Sequence, residues 1–172
     1  MSKAIGIMSK IKLIVPKHTL LKLYYALVLP YLNYCSLVWG GTYPTHLKPL
    51  TILQKKIVRI ICNVSYFHPT NDLFHENSLL KFEDILKYSL GIYMYKNSSQ
   101  PVFIRTHSYN TRYRNSLNSA FERLSLTQYS VYFRGPSFWN SLPPDVKEAR
   151  SLDIFKRKLR NYLLSQYSPQ IH

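Results

Sequence analysis

Residues 46–62 constrain the fold more than any other segment, because their apolar side chains recur at the spacing of one helical face. The apolar stripe consists of Leu47, Leu50, Leu53, Ile57, Val58 and Ile61. The opposite face carries the cations Lys48, Lys55, Lys56 and Arg59. The pattern predicts an amphipathic helix that begins after an N-cap at Thr45 and stops at Asn63.

Apolar residues with helical spacing also occur elsewhere, and prolines or glycines separate these segments. Pro30 is expected to kink or end one of the helices. Ser151 is a suitable N-cap for the last one. The pattern predicts helices over 3–15, 17–29, 81–96 and 152–164, a shorter helix beginning at 70 or 71, and a buried helical piece at 31–39 before a loop at 40–44.

Composition changes at residues 97–101, which indicates a boundary between two parts of the chain. Residues 1–97 are predicted to form a helical bundle. In the second part, residues 98–172, the sequence predicts an extended loop at 105–118, a short strand at 130–133 and a helical turn at 136–142. The predicted fold class is therefore mainly α: a helical bundle, then a mixed loop and short-strand segment, then a C-terminal amphipathic helix.

The charge of the chain favours a polyanionic partner. Lysine and arginine number 23 against 8 aspartates and glutamates, which gives a formal net charge of +15. Disordered basic tails are poor in aromatic residues, whereas this chain has 15 tyrosines, 8 phenylalanines and 2 tryptophans and is expected to fold. For a folded and strongly basic chain, nucleic acid is the first candidate partner and an anionic membrane the second.

Two regions are candidate contacts to nucleic acid. The cations of helix 46–62 can follow a phosphate backbone, although such a face can also be simply solvated. In the polar loop, arginines and tyrosines alternate at Arg105, Tyr109, Arg112, Tyr113 and Arg114. Residues of these two types can stack on unpaired bases while they hold phosphates, and the alternative is an ordinary connecting loop.

No group of residues has the spacing of a catalytic or metal site. Metal-dependent nucleotide transfer needs at least two carboxylates close to the ions. Only Glu83 and Asp84 are adjacent, and a helix would set them about 100° apart, so solvation and the helix dipole explain them. The histidines lack a zinc-binding spacing, and no glycine-rich phosphate loop occurs. The sequence predicts no catalytic residue, no metal and no cofactor.

The cysteines and the longest uncharged stretch indicate where in the cell the protein would be found. Cys35 and Cys62 lie in apolar runs, which predicts two buried, reduced thiols in an intracellular protein. Residues 23–45 carry no charge over a length that would cross a bilayer. Pro30 and Asn33 oppose that interpretation, because polar groups exposed there would lack partners in lipid. No membrane span is expected.

Six segments, taken in order, carry a family resemblance. They are LYYALVLPYLNYCSLVWG (23–40), LQKKIVRIICNVSYFHPT (53–70), LLKFEDILKYSLGIYMYKN (79–97), HSYNTR (107–112), RGPSFWNSLPPDV (134–146) and SLDIFKRKLRNYLL (151–164). Together they resemble the C-terminal region of reverse transcriptases from non-LTR (LINE-type, jockey-like) retrotransposons.

The resemblance implies that residues 1–97 correspond to the thumb, a helical bundle that holds template–primer behind the active site. Residues 98–172 would then form the post-thumb segment. By the same resemblance, Lys48, Lys55, Lys56 and Arg59 would face nucleic acid. The sequence lacks the family's fingers, its palm with the Tyr-x-Asp-Asp turn and its endonuclease, so RNA-directed DNA polymerase activity is not expected of this chain.

The resemblance leaves three interpretations open. The first is a non-catalytic fragment that binds template–primer duplex or element RNA through phosphates, in a nuclear or cytoplasmic ribonucleoprotein. The second is a structural fragment that only packs against a polymerase palm in another chain. The third is the C-terminal part of an intact reverse transcriptase.

Overall fold

The computed structural model of the chain describes residues 1–98, 117 and 125–167, and within them every regular element is a helix. The longer helices are α1 (Ser2–Ile11), α5 (Pro44–Ile61), α7 (Phe82–Asn97), α9 (Val131–Ser141) and α11 (Leu152–Ser165). The shorter ones are α2 (Lys17–Leu23), α3 (Leu29–Asn33), α4 (Ser36–Trp39), α6 (Asn71–Glu76), α8 (Ser125–Gln128) and α10 (Pro144–Lys147). A π-helical turn, Tyr24–Val28, joins α2 to α3. The mainly α fold class is confirmed, and the thumb-like arrangement stays a prediction.

The core is built around α7. This helix contacts α3, α4 and α5 from the N-terminal part of the chain, and α9 and α11 from the C-terminal part. Helices α1, α3, α5, α7 and α11 and the π-helical turn contribute to one buried apolar cluster, whose fully buried members include Met8, Val28, Ile57, Phe82 and Leu159, and side chains of α4 and α9 pack against it. The boundary predicted near residue 97 therefore stays a prediction, but apolar packing crosses it.

The sequence predicts that Pro30 either kinks or ends a helix. The prediction that it ends one was wrong. The proline stands in the first turn of α3, directly after the π-helical turn, in which the Leu29 amide donates to the Tyr24 carbonyl. Proline inside an α-helix clashes with the carbonyl four residues earlier, and a wider turn relieves that clash. Leu20 and Leu32, twelve residues apart, are both buried as a result.

Helix α5 ends as the sequence predicts, but its cap lies two residues before the predicted one. Asn63 adopts a left-handed backbone, with φ of 50°, and its amide donates to the Ile60 carbonyl over 3.2 Å. The Val64 amide donates to the Arg59 carbonyl over 3.1 Å, which completes a Schellman motif. At the other end the cap residue is Tyr43, so the prediction that Thr45 caps this helix was wrong.

Three further predictions from local sequence are wrong. Residues 31–39 are not a buried helical piece, because α3 ends at Asn33 and the side chains of Tyr31 and Tyr34 are exposed. Residues 130–133 are not a strand, since α9 begins at Val131. Cys35 is exposed and Cys62 is half-buried, although both thiols are free as expected.

Several elements do match their predictions. Helix α6 begins at Asn71, α7 differs by one residue at each end from the range 81–96, and α11 covers the predicted 152–164. Ser151 caps α11, because its hydroxyl accepts a hydrogen bond from the Ile154 amide over 3.3 Å. The helix predicted over 3–15 ends earlier, at Ile11. The turn predicted at 136–142 is instead the second half of α9.

The RGPSFWNSLP motif fastens α9 to the rest of the molecule. Arg134 Nη1 donates to the Gly40 carbonyl over 2.8 Å. A Cβ on Gly135 would lie 2.4 Å from the sulfur of Met94, so only glycine permits this approach to α7. The side-chain amide of Asn140 both accepts from the Leu117 amide, over 2.9 Å, and donates to the Leu117 carbonyl, over 3.1 Å. These contacts hold α9 against α7 and against the residues around Gly40 and Leu117.

A buried glutamine organises the start of α7. Gln54 of α5 is 1% exposed. Its Nε2 donates to the Tyr24 hydroxyl and to the Leu80 carbonyl, each over 2.9 Å, and its Oε1 accepts from the Phe82 amide over 2.7 Å. The last bond satisfies one of the amides that a helix N-terminus leaves without an intrahelical partner. Gln54 thus joins the π-helical turn, α5 and α7.

The C-terminal end of α11 is fastened to the same place. The Tyr167 hydroxyl accepts from the Lys81 amide over 2.9 Å and donates to the Asp84 carboxylate. Burial, with the hydrogen bond to Asp84, raises the pKa of Tyr167. Lys87 Nζ lies 2.9 Å from the same carboxylate. Asp84 is buried, so the interpretation of Glu83 and Asp84 as a solvated pair was wrong for Asp84.

Candidate nucleic-acid interface

The first 71 residues contain no aspartate or glutamate, and the first acid in the chain is Asp72. Helix α5 lies within this stretch and carries the predicted cations. A solvated helix face usually mixes charges of both signs. Since α5 itself carries no acid, the balance of charge beside it depends on which acidic residues the fold places there.

A groove of about 630 Å³ runs between α5, α7 and α9. Lys48 and Lys55 line it from α5, Lys87 from α7 and Arg134 from α9. Among the described residues, Glu83 is the one carboxylate that lines it, since Asp84 is buried and paired with Lys87. The groove thus collects four cations against one acid, with an apolar floor that includes Leu47 and Leu86.

The four cations differ in what they already bind. Lys87 is paired with Asp84, and Arg134 donates to the Gly40 carbonyl. Burial lowers the pKa of the Arg134 guanidinium from its ordinary value. Within the described part of the chain, no hydrogen bond or ion pair engages Nζ of Lys48 or Lys55. These two lysines are the cations of the groove that are available to an anionic ligand.

The other two predicted cations of α5 lie elsewhere. Lys56 is exposed and does not line the groove. Arg59 is near the C-terminal end of the helix, where its Nε donates to the His68 carbonyl over 2.9 Å. Its guanidinium also lies over the ring of Tyr66, 5.7 Å from the centroid. The structure therefore brings Lys48 and Lys55 into the groove, whereas Lys56 and Arg59 lie outside it.

The second predicted contact region cannot be placed. Arg105, Tyr109, Arg112, Tyr113 and Arg114 lie outside the described residues. Their assignment as contacts to nucleic acid stays a prediction.

Two members of the groove were missed from the sequence. Lys87 stands four residues after Glu83 on α7, a spacing that places both on one exposed face. That spacing was the one available signal for Lys87. The sequence holds no such signal for Arg134, because its place in the groove depends on the packing of α9 against α7, nearly 50 residues away in the sequence.

Among the described residues, no three of His, Cys, Asp and Glu lie close enough to hold a metal ion. In that same part of the chain, none of the helices has both the length and the apolar character needed to cross a bilayer.

Comparison of the chain with protein-family models, with curated proteins and with solved structures gives no match.

Proposed function

We propose that this chain is a non-catalytic nucleic-acid-binding module derived from the C-terminal region of a non-LTR retrotransposon reverse transcriptase. It would bind template–primer duplex or element RNA through phosphates and work inside the cell, in a ribonucleoprotein. The single observation that carries the proposal is the groove between α5, α7 and α9, in which Lys48 and Lys55 have no competing partner among the residues that the structure describes.

The spacing of the two lysines fits a phosphate backbone. Lys48 and Lys55 are seven residues apart, which corresponds to about 10 Å along the axis of α5. Phosphates of one DNA strand follow each other at about 3.4 Å along the duplex axis, so a duplex lying parallel to α5 extends over about three base-pair steps between the two ammonium groups. Such contacts position a duplex without reading its bases.

Binding should depend steeply on salt, because each neutralised phosphate releases condensed counterions. We expect the double variant Lys48→Glu and Lys55→Glu to bind a primer–template duplex at least tenfold more weakly than the wild type. The slope of log K against log salt should also become shallower by about two. Fluorescence anisotropy between about 50 and 200 mM salt measures both quantities.

A matched control separates the groove from overall charge. Lys3→Glu and Lys10→Glu make the same change in net charge on the exposed side of α1. If this control loses as much affinity as the groove variant, the groove is not the binding site. If the wild type shows no salt-sensitive affinity for any duplex, the nucleic-acid proposal fails.

One observation favours the alternative of a structural fragment that packs against a polymerase palm. Large apolar side chains are exposed on α1 and just after it: Ile7 is 51% exposed, Leu13 79% and Ile14 80%. Exposed apolar patches often mark protein–protein contacts. Co-elution with a fingers–palm polypeptide that is abolished by Leu13→Lys with Ile14→Lys would favour this alternative.

A further inference from the structure

A compact turn at residues 65–68 presents two aromatic rings to solvent, directly after the C-terminal end of α5. Tyr66 is 63% exposed and Phe67 is 88% exposed, the highest value among the large hydrophobic side chains of the described residues. Neither ring belongs to the buried cluster. A single exposed aromatic residue needs no explanation, but two adjacent ones form a surface.

The backbone of this turn is held in place. The His68 amide donates to the Ser65 carbonyl over 3.1 Å, and the His68 carbonyl accepts from Arg59 Nε over 2.9 Å. The Schellman motif at Asn63 fixes the direction in which the chain leaves α5. The two rings meet edge to face, with centroids 5.4 Å apart and planes at 87°. The exposure of these rings therefore follows from an anchored turn.

The cationic residues beside the turn indicate what kind of ligand it would bind. Arg59 lies over Tyr66 and uses Nε for the turn, while a guanidinium has five N–H donors in all. Lys56 is exposed one helical turn earlier. No acid occurs in the sequence before Asp72. An aromatic surface beside two cations, in an acid-free stretch, is complementary to an unpaired nucleobase and its phosphate.

We propose that Tyr66 and Phe67 form a stacking platform for an unpaired base at the end of a duplex bound along α5. The proposal rests on the proposed nucleic-acid binding and adds a preference for a single-stranded overhang. Lys48 and Arg59 are eleven residues apart, about 16 Å along the helix, which is the axial length of about five base-pair steps in a duplex parallel to α5. The groove lysines can therefore hold a duplex whose last base pair lies beside the turn.

The test compares a blunt duplex with the same duplex carrying a three-nucleotide overhang. We expect the wild type to bind the overhang substrate more tightly. Phe67→Ala should weaken binding of the overhang substrate roughly 5- to 100-fold, the range found when a stacking aromatic is removed, and leave blunt-duplex affinity unchanged. Phe67→Trp should restore the preference, because tryptophan also offers a stacking face.

Tyr31→Ala is the matched control, since Tyr31 is 65% exposed and lies outside the turn. It should leave both affinities unchanged. The platform is overturned if Phe67→Ala and the wild type show the same ratio of overhang to blunt affinity while both still bind duplex. Equal loss on both substrates overturns it too. Absence of any duplex binding by the wild type removes the proposed function together with the platform.

A membrane surface is the competing ligand for exposed aromatic residues beside cations. Sedimentation with vesicles of phosphatidylserine and phosphatidylcholine distinguishes it. If Phe67→Ala abolishes vesicle binding and leaves the overhang preference intact, the turn is a membrane contact and the proposal is wrong.

Discussion

Single buried polar side chains fix the arrangement of the helices around α7. Gln54 uses both hydrogens of its amide nitrogen and accepts one bond at its oxygen. Tyr167 both accepts and donates at one hydroxyl. Each of these residues connects positions that are distant in the sequence, and buried polar groups are costly when they lose their partners.

Gln54→Leu tests the first of these connections. The substitution keeps a similar volume but leaves the Tyr24 hydroxyl, the Leu80 carbonyl and the Phe82 amide without their bonds. We expect the free energy of unfolding to fall by about 3 kcal/mol, since each orphaned buried group costs about 1–3 kcal/mol. Urea denaturation measures the change. Gln166→Leu, at an exposed position, should change it by less than about 0.5 kcal/mol.

The Tyr24 hydroxyl makes the stability of the fold sensitive to alkali. Burial raises the pKa of Tyr24 from 10.0 to about 12. Between these values the unfolded chain loses the proton while the folded chain keeps it, so stability is complete below pH 10 and declines as pH rises towards 12. The decline due to Tyr24 should total about 2–3 kcal/mol.

Urea denaturation across this pH range measures the decline in the wild type and in Tyr24→Phe. The variant should show a shallower alkaline slope, because phenylalanine has no proton to lose. Tyr167 also has a raised pKa and adds to the decline in both proteins, so the difference between them isolates Tyr24. Identical slopes would contradict the assignment.

Whole elements show how far local sequence predicts this fold. The clearest successes, α5, α7 and α11, have strong helical spacing and recognisable ends, such as Asn63 and Ser151. The prediction of a strand at 130–133 was wrong. It depended on the β propensity of Val131, Tyr132 and Phe133, and packing overrides such propensity. The packing that decides it, α9 against α7, is not visible in local sequence.

The candidate site could be predicted only in part, again because packing between distant elements is not visible in local sequence. Lys48 and Lys55 follow from the amphipathic pattern of α5, and both line the groove. Arg59 has the same spacing, yet it binds the 65–68 turn, whose fold depends on a hydrogen bond to that residue. Helical spacing identifies which side chains share a face, but not what the fold then places against that face.

The π-helical turn and Pro30 are expected to depend on each other. Twelve residues of regular α-helix turn through about 1,200°, which would leave Leu32 roughly 120° away from Leu20. Deleting the exposed Ala26 would reduce the spacing to eleven residues, or about three α-helical turns. The buried stripe would then survive, but Pro30 would lie inside a regular helix.

We therefore expect deletion of Ala26 to lower the free energy of unfolding by about 3 kcal/mol, the typical effect of a proline in a helix interior. Combining the deletion with Pro30→Ala should recover most of this loss, so that the two changes are not additive. Thermal and urea denaturation measure the cycle. Deletion of Ile52, exposed but within the regular helix α5, should unfold the chain because it rotates the apolar stripe by about 100°.

At the scale of the whole molecule, the apolar packing of α7 extends over both predicted parts of the chain. A Cβ on Gly91 would lie 2.6 Å from Leu159 Cδ2, which shows how closely α11 covers this helix. Phe155 stacks on Tyr95 with centroids 4.5 Å apart. The same cluster continues to residues of α1 and α2.

A fragment of residues 1–98 is therefore expected to lose its cooperative unfolding transition, although it contains most of the bundle. Removing α9 and α11 uncovers the face of α7 around Gly91 and Met94. Circular dichroism during urea titration should show a broad, weak transition for the fragment and a sharp one for the full chain. Adding residues 99–172 as a separate peptide should restore the transition. A sharp transition in the fragment alone would establish an independent N-terminal domain.

The bond between Tyr167 and Asp84 also has a consequence for the order of events on the ribosome. Asp84 is synthesised 83 residues before its partner, an interval of about 4 to 17 s at roughly 5–20 residues per second. During that time the nascent chain holds an acid without its hydroxyl donor and an apolar helix without its cover. A chaperone that binds the nascent chain during this interval would protect the apolar face of this helix until the rest of the chain covers it.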